Sequence, residues 1–165
     1  MKVLGIDASL RSTGIAIVES KAGRLAAGKY GAVKNPQKAS HSECLRNVQA
    51  ELSELLSEEK PNAAAIEGGF YFKNARTALV LGEVRGVVIA ACAAVGVPVY
   101  EYSPRHVKQA ITGTGSAQKD QVAKMVMSIL GIEKKPQEDA GDALAIAICH
   151  LQNQSGIAAL KPKPV

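Results

Sequence analysis

Apolar and polar positions change period several times along the chain, and each change marks an element. Residues 2–8, KVLGIDA, and residues 13–19, TGIAIVE, are apolar runs of strand length separated by the turn-rich SLRS. A third run, from Leu25 to Val33, follows the turn Lys21-Ala22-Gly23, which predicts three successive strands in an antiparallel meander. The period then becomes helical. Ser40 and Glu43 have capping-box spacing, and Leu45, Val48, Leu52, Leu55 and Leu56 form one stripe that must end before Pro61.

Ala63 to Glu67 is a brief apolar strand that ends in a carboxylate and is broken by Gly68 and Gly69. An aromatic loop, Phe70-Tyr71-Phe72-Lys73, leads into a long Ala/Val/Gly-rich helix from about Asn74 to Val95. Val97 to Tyr102 reads as a fifth strand. Ser103 and Pro104 then open a short helix as N-cap and first helical residue. After the loop Gly113-Thr114-Gly115, Ser116 is the expected cap of a helix with its stripe at Val122, Met125, Val126, Ile129 and Leu130, stopped by Gly131. A last helix starts near Pro136 and is almost wholly apolar beyond Asp142, so it should be buried. The order βββαβαβααα gives an α/β fold with a five-stranded mixed sheet and helices on both faces. One domain is expected over residues 1–153, with 154–165 a basic, Pro-rich tail expected to be disordered.

Composition narrows the function. Hydrophobic residues make up 47% of the 165, enough for a core, but aromatics are only 4% and Trp is absent, so that core is aliphatic. A net charge of +5 favours an anionic partner such as nucleic acid. Cys44, Cys92 and Cys149 are far apart and odd in number, and His41, His106 and His150 have no ligand spacing; neither set suggests zinc or a disulfide framework. The run from Val87 to Tyr100 is interrupted by Gly96 and Pro98 and falls short of the roughly 20 residues a membrane span needs. A cytoplasmic protein without a membrane partner is expected.

Asp7, Glu67, Asp139 and Asp142 stand out because each sits where an apolar element ends or begins. Taken singly, each has an ordinary explanation: a turn cap for Asp7, an exposed strand end for Glu67, helix-dipole partners for Asp139 and Asp142. Together they are harder to dismiss, since three separate apolar elements each deliver carboxylate at one end. Asp139 and Asp142, three apart, share one helix face. Oxygen donors without His or Cys select hard cations, Mg²⁺ with Mn²⁺ as a substitute. Clustered carboxylates suit the two-ion arrangement for in-line phosphoryl displacement, with ions about 4 Å apart. No protein nucleophile is then required, in keeping with the lack of any Ser/His or Cys/His arrangement.

These residues lie in segments with a family likeness. LGIDASLRSTG resembles the first motif of the RuvC-type Holliday junction resolvases, and AIEGGFYFKNARTAL resembles the second. PRHVKQAITGTGSAQKDQVAKMV resembles the segment that carries the family's basic DNA-contacting residues, and PQEDAGDALAIAICH resembles the last motif. The four run in family order across roughly residues 2–150. The resemblance implies an RNase H-like fold, a homodimer, Mg²⁺ dependence, and paired symmetrical nicking of a four-way DNA junction in recombination and repair. It makes Asp7, Glu67, Asp139 and Asp142 the catalytic, metal-holding acids. It matches Phe70 to an aromatic that contacts junction bases, and Lys108 and Lys119 to basic residues near the scissile strand. A branch-migration complex becomes a possible partner. Two departures stand out: Ala8-Ser9 replaces the Pro-Gly common after the first acid, which offers a Ser9 hydroxyl to the site, and Gly68-Gly69 replaces bulkier residues, which implies a looser aromatic loop.

The expected DNA-binding set is Phe70, Asn74, Arg76, Arg105, Lys108 and Lys119. Arg105, His106, Lys108 and Lys119 bracket the Gly113–Gly115 loop, whose backbone N–H groups suit a phosphate, although a solvated turn has the same sequence. Phe70 is expected to be exposed, with Tyr71 and Phe72 partly packed. Ala78, Gly82, Gly86 and Ala90 recur every four residues along the long helix. That stripe suits either packing on its own sheet or a dimer contact, and the resemblance favours the dimer. Two other functions share these features. An RNase H-fold nuclease acting on RNA or RNA–DNA hybrid would keep the acids, and a non-cleaving junction-binding protein would keep the basic residues. The chain is too short for the two domains of an actin-like ATPase.

Overall fold

The first three strands form the meander that the alternating pattern predicts. The computed structural model describes residues 1–68, 74–154 and 163–165. In it β1 (Lys2–Asp7) pairs antiparallel with β2 (Ser12–Lys21), and β2 pairs antiparallel with β3 (Arg24–Lys34). Helix α1 (His41–Glu59) then crosses over to β4 (Ala63–Glu67), which pairs parallel with β1 on its other side. Helix α2 (Ala75–Ala94) leads to β5 (Val99–Tyr102), parallel to β4, and α3 (Pro104–Thr112), α4 (Lys119–Leu130) and α5 (Glu138–Gln154) follow. The sheet order is β3-β2-β1-β4-β5. This is the expected five-stranded mixed sheet.

Strand alternation divides the core in two. Leu4, Ile6, Ile17, Ala64, Ile66 and Val99 face α1 and α2, where they meet Val48, Leu52, Val84 and Val88. Val3, Ala16, Val18, Ala65 and Tyr102 face the other way, toward α3, α4 and α5. Helix α5 is the most deeply placed helix: every residue from Ala143 to Leu151 is buried. Fully burying a Leu or Ile stabilises by roughly 1.5–3 kcal/mol, so Leu144, Ile146 and Ile148 fix this helix firmly on the sheet. Cys92 and Cys149 are buried free thiols, one in each core, Cys44 is a buried free thiol of α1, and His150 is buried beside Tyr102, whose hydroxyl lies 2.8 Å from its Nδ1.

Local capping signals set most element ends. Ser40 and Glu43 form the capping box, with the Ser40 N–H donating to Glu43 at 2.7 Å. Ser103 caps α3, accepting from the His106 N–H at 3.2 Å, and Gly131 ends α4 at φ 65°. Ser116 is a correction. The cap of α4 is Gln118, whose N–H donates to the Gln121 side chain at 2.8 Å, while the Ser116 hydroxyl pairs with Thr114 inside the loop. The fifth strand begins at Val99 and not Val97. Contrary to the expectation from the run Val87 to Tyr100, α2 as a whole is long and apolar enough to cross a membrane by length and composition. Only Val84, Val88, Ala91 and Cys92 of it are buried. Of the tail, residues 155–162 lie outside the described residues; Pro164 bridges to Tyr100, and the Val165 N–H donates to the Val99 carbonyl at 2.9 Å.

Candidate active site

Asp7 and Glu67 end two adjacent parallel strands, and the register that pairs Ile6 with Ile66 places them side by side at one end of the sheet. Strand parity sends both side chains to the α5 face, with Gly5 and Ala65. Helix α5 can come down on that face only because two strand residues lack side chains. A Cβ at Gly5 would lie 2.0 Å from the Ala143 carbonyl oxygen, and one at Gly14 would lie 2.0 Å from that of Asp139. Gly14 is the pairing partner of Asp7, so this contact brings the start of α5 alongside the end of β1.

The result is a cleft of about 360 Å³ lined by Asp7, Glu67 and Asp142 together with Lys108 and Lys119 and the apolar Val107, Val122 and Ile146. Burial raises the Asp7 pKa to about 7, reinforced by the negative charges of Asp142, Glu67 and Asp139. Burial also raises Glu67, with Asp142 adding to the effect. Asp142 is raised by burial too, against the opposing charge of Lys119. Lys119 and Lys108 offset this desolvation of the carboxylates only in part, and a bound cation would relieve the remainder.

Asp139 is placed differently from the other three. Its carboxylate accepts a hydrogen bond from the Ser12 hydroxyl at the start of β2, and it does not line the cleft. The hydroxyl bonded to an acid is therefore that of Ser12, while the Ser9 carbonyl accepts from Thr13 at 2.5 Å and closes the turn after Asp7. Among the described residues, no three acidic, His or Cys side chains converge on one ion-sized point. The features that Asp7, Glu67 and Asp142 share are oxygen donors and desolvation. These fit a hard cation by chemistry, with side-chain rotation needed to close around it.

The basic residues divide. Lys108 and Lys119 belong to the cleft, and the charge of each lowers the pKa of Glu67 and of Asp142. Lys119 lies 3.9 Å from Asp142 and 2.5 Å from Glu138, an exposed partner the sequence had not singled out. Arg105 lies apart, in a hollow with Ser103, His106, Gln109 and Asn153, and its side chain fills the space over Gly115. Asn74 caps α2, its side chain accepting from the Arg76 N–H at 2.9 Å, and both residues are exposed. Phe70, Tyr71 and Phe72 lie outside the described residues.

Ala78, Gly82, Gly86 and Ala90 are all exposed on one side of α2, and a Cβ on Gly82 or Gly86 would touch nothing within 4 Å. Packing on the protein's own sheet is therefore not their role. Leu79 beside them is 69% exposed. Two further charged residues escaped the sequence reading: Arg85, within the apolar α2, and Glu101, within β5. The Arg85 guanidinium donates to the Glu67 carbonyl oxygen at 3.0 Å and to the Glu101 carboxylate at 2.7 Å. A charge set among the valines of α2, between Val84 and Val87, was the available signal.

Residues 3–150 match the family model for crossover junction endodeoxyribonuclease RuvC. The chain is 46% identical over 154 residues to the crossover junction endodeoxyribonuclease RuvC of Syntrophomonas wolfei, covering 93% of this chain and 90% of that one. It superposes with a TM-score of 0.92 on Thermus thermophilus RuvC in complex with Holliday junction substrate, at 34% identity over 100% of this chain and 99% of that one. The yeast mitochondrial Holliday junction resolvase shares the fold, with a TM-score of 0.67 at 14% identity over 91% of this chain and 77% of that one.

Proposed function

Since the chain belongs to the RuvC family of crossover junction endodeoxyribonucleases, we propose that it resolves four-way DNA junctions by paired symmetrical nicks, as a homodimer, using two Mg²⁺ ions for which Mn²⁺ can substitute. It is a DNA-cleaving hydrolase of the RNase H-like fold. The observation that carries the finer reading is the cleft itself. Asp7, Glu67 and Asp142 are desolvated together in a cleft that Lys108 and Lys119 also line. Such a site attracts divalent cations to its acids and a phosphodiester to its lysines.

When bound, a hard divalent cation supplies the Lewis acidity that activates water and stabilises the leaving 3′ oxygen. The protein's part is to hold and orient. Asp7, Glu67 and Asp142 supply carboxylate oxygens from three elements whose relative positions are fixed by packing. Asp7, with a pKa of about 7, gives up its proton as a cation enters. Lys119, now shared between Asp142 and Glu138, offers its ammonium to a backbone phosphate. The exposed stripe on α2 supports a two-fold dimer, which would present two equal sites to the symmetric strands of a junction.

The test is a cleavage assay with a synthetic four-way junction, linear duplex and RNA–DNA hybrid, each with Mg²⁺ omitted and restored. Paired nicks confined to the junction, and only with metal present, are expected. Preferential cutting of the hybrid, or junction binding without nicking in both Mg²⁺ and Mn²⁺, would overturn the reading.

A further inference from the structure

Glu67 and Glu101 occupy adjacent strands at nearly the same level, yet strand parity sends them to opposite faces of the sheet. Glu67 faces the acid cleft. Glu101 faces α2, where Arg85 meets it with 16% of the arginine and 35% of the glutamate side chain exposed. Arg85 uses its two terminal nitrogens separately, one on the Glu101 carboxylate and one on the Glu67 backbone carbonyl. Gly68 completes the arrangement: a Cβ there would lie 1.8 Å from a Glu101 carboxylate oxygen, so only glycine lets Glu101 sit where Arg85 can reach it. The same peptide is held at its other end, by the Gly68 N–H donating to the Tyr102 carbonyl at 2.8 Å.

We propose that Arg85 is a positioning residue for the metal-holding site, bracing the backbone of Glu67 from the opposite face of the sheet with Glu101 and Gly68 as the other parts of the brace. Glu67 is the last residue of β4, and the peptide that follows it is held to β5 through its N–H and to α2 through its carbonyl, by Arg85. The fork geometry of a guanidinium can hold two acceptors at a fixed separation, which a lysine cannot do. Arg85 does not act through charge on the Glu67 carboxylate, whose pKa is governed by burial, Asp142, Lys119 and Lys108. It acts on where the carboxylate is carried. Helix α2 also carries the exposed Gly82 and Gly86, so the brace ties that helix mechanically to the catalytic end of β4.

This inference rests on Glu67 being a metal-holding acid, and the experiment separates the two claims. Mn²⁺ binding to the intact protein, without DNA, is followed by the loss of the free-ion electron paramagnetic resonance signal, beside thermal melting. Removing a partner that orients a metal ligand typically weakens metal affinity 10–100-fold. Arg85→Gln and Glu101→Gln are each expected to weaken Mn²⁺ binding about tenfold or more. Arg85→Lys should fall between, and the double variant should be no weaker than Arg85→Gln alone. Cleavage should show a raised Mn²⁺ requirement, with most of the rate regained at saturating metal. Gly68→Ala, which displaces Glu101 without touching Arg85, should give the same weakening and keeps the test available if Arg85→Gln fails to fold. A lowered melting temperature with Mn²⁺ affinity within twofold of wild type would make Arg85 merely structural and overturn the brace. Glu67→Gln is the reference: if it binds Mn²⁺ as wild type does, the role of Glu67 falls and the brace with it. If it loses Mn²⁺ while the Arg85 variants do not, only the brace falls.

Discussion

Gly14 and Asp139 are in such close contact that a methyl group on the Gly14 α-carbon would lie 2.0 Å from the Asp139 carbonyl oxygen. A strand residue thereby sets the height at which a buried helix crosses the sheet. The start of that helix carries Asp139 and Asp142, so the spacing of the acids depends on a residue with no functional group.

Gly14→Ala should therefore damage the site through the backbone. Overpacking of this kind costs about 1–3 kcal/mol, and here the obstructing atom is main chain, which cannot rotate away. We expect melting to fall by several degrees and junction cleavage to fall at least tenfold. Gly31→Ala, on β3 where the new methyl meets nothing within 4 Å, should leave melting nearly unchanged. Equal effects of the two substitutions on melting would refute the account.

Asp7→Asn, Glu67→Gln and Asp142→Asn should each abolish cleavage while junction affinity stays within a few-fold of wild type. Binding draws on phosphate neutralisation by Lys and Arg, which these changes leave in place. Asp139→Asn should also lose activity, provided that Asp139 turns from Ser12 toward the metal. Ser12→Ala frees Asp139 of its hydrogen bond and should alter the rate far less than Asp139→Asn does. Near-wild-type cleavage by two of the four acid variants would show that the site is assigned wrongly.

The pH dependence of the metal-free protein follows from Asp7. Its pKa rises from an ordinary 3.8 to about 7 on folding, so between these values the folded chain holds a proton that the unfolded chain has lost. Stability thus falls as pH rises through 7. Glu67 and Asp142 act in the same direction. Buried His150, lowered from 6.5 to about 4, has the opposite sign, since the unfolded chain takes up its proton first, and its effect is confined below about pH 6.5. Between pH 6.5 and 8 the stability advantage of Asp7→Asn over wild type should therefore grow by about 1 kcal/mol, or about 3 °C in melting. Saturating Mg²⁺ should reverse the order. A difference independent of pH would mean that Asp7 does not titrate in this range.

Gly82→Leu or Gly86→Leu should yield a folded monomer, because neither position meets anything within its own chain. Analytical ultracentrifugation at micromolar concentration should show a wild-type dimer and a variant monomer. Cleavage by the variant should lose its pairing, with single nicks accumulating. A monomeric wild-type protein would remove the basis for concerted cutting through α2.

The sequence by itself determined the order of elements, because the two-residue and 3.6-residue periods are local properties of the chain. It also marked Asp7, Glu67, Asp139 and Asp142, since a carboxylate at the edge of an apolar run is costly to place and therefore visible. Lys108 and Lys119 were legible as phosphate partners through motif likeness and the loop they bracket, but nothing in their spacing says that α3 and α4 bring them to one cleft with the acids. Tertiary structure alone decided that the small residues of α2 face outward, since a periodic stripe has the same sequence whether it meets a sheet or solvent. It likewise decided that Asp139 turns to Ser12, separated from it by 127 positions in the chain, and that Arg85 reaches behind Glu67. Those contacts depend on which faces meet when the layers close, and periodicity along a chain carries no record of what lies across the gap.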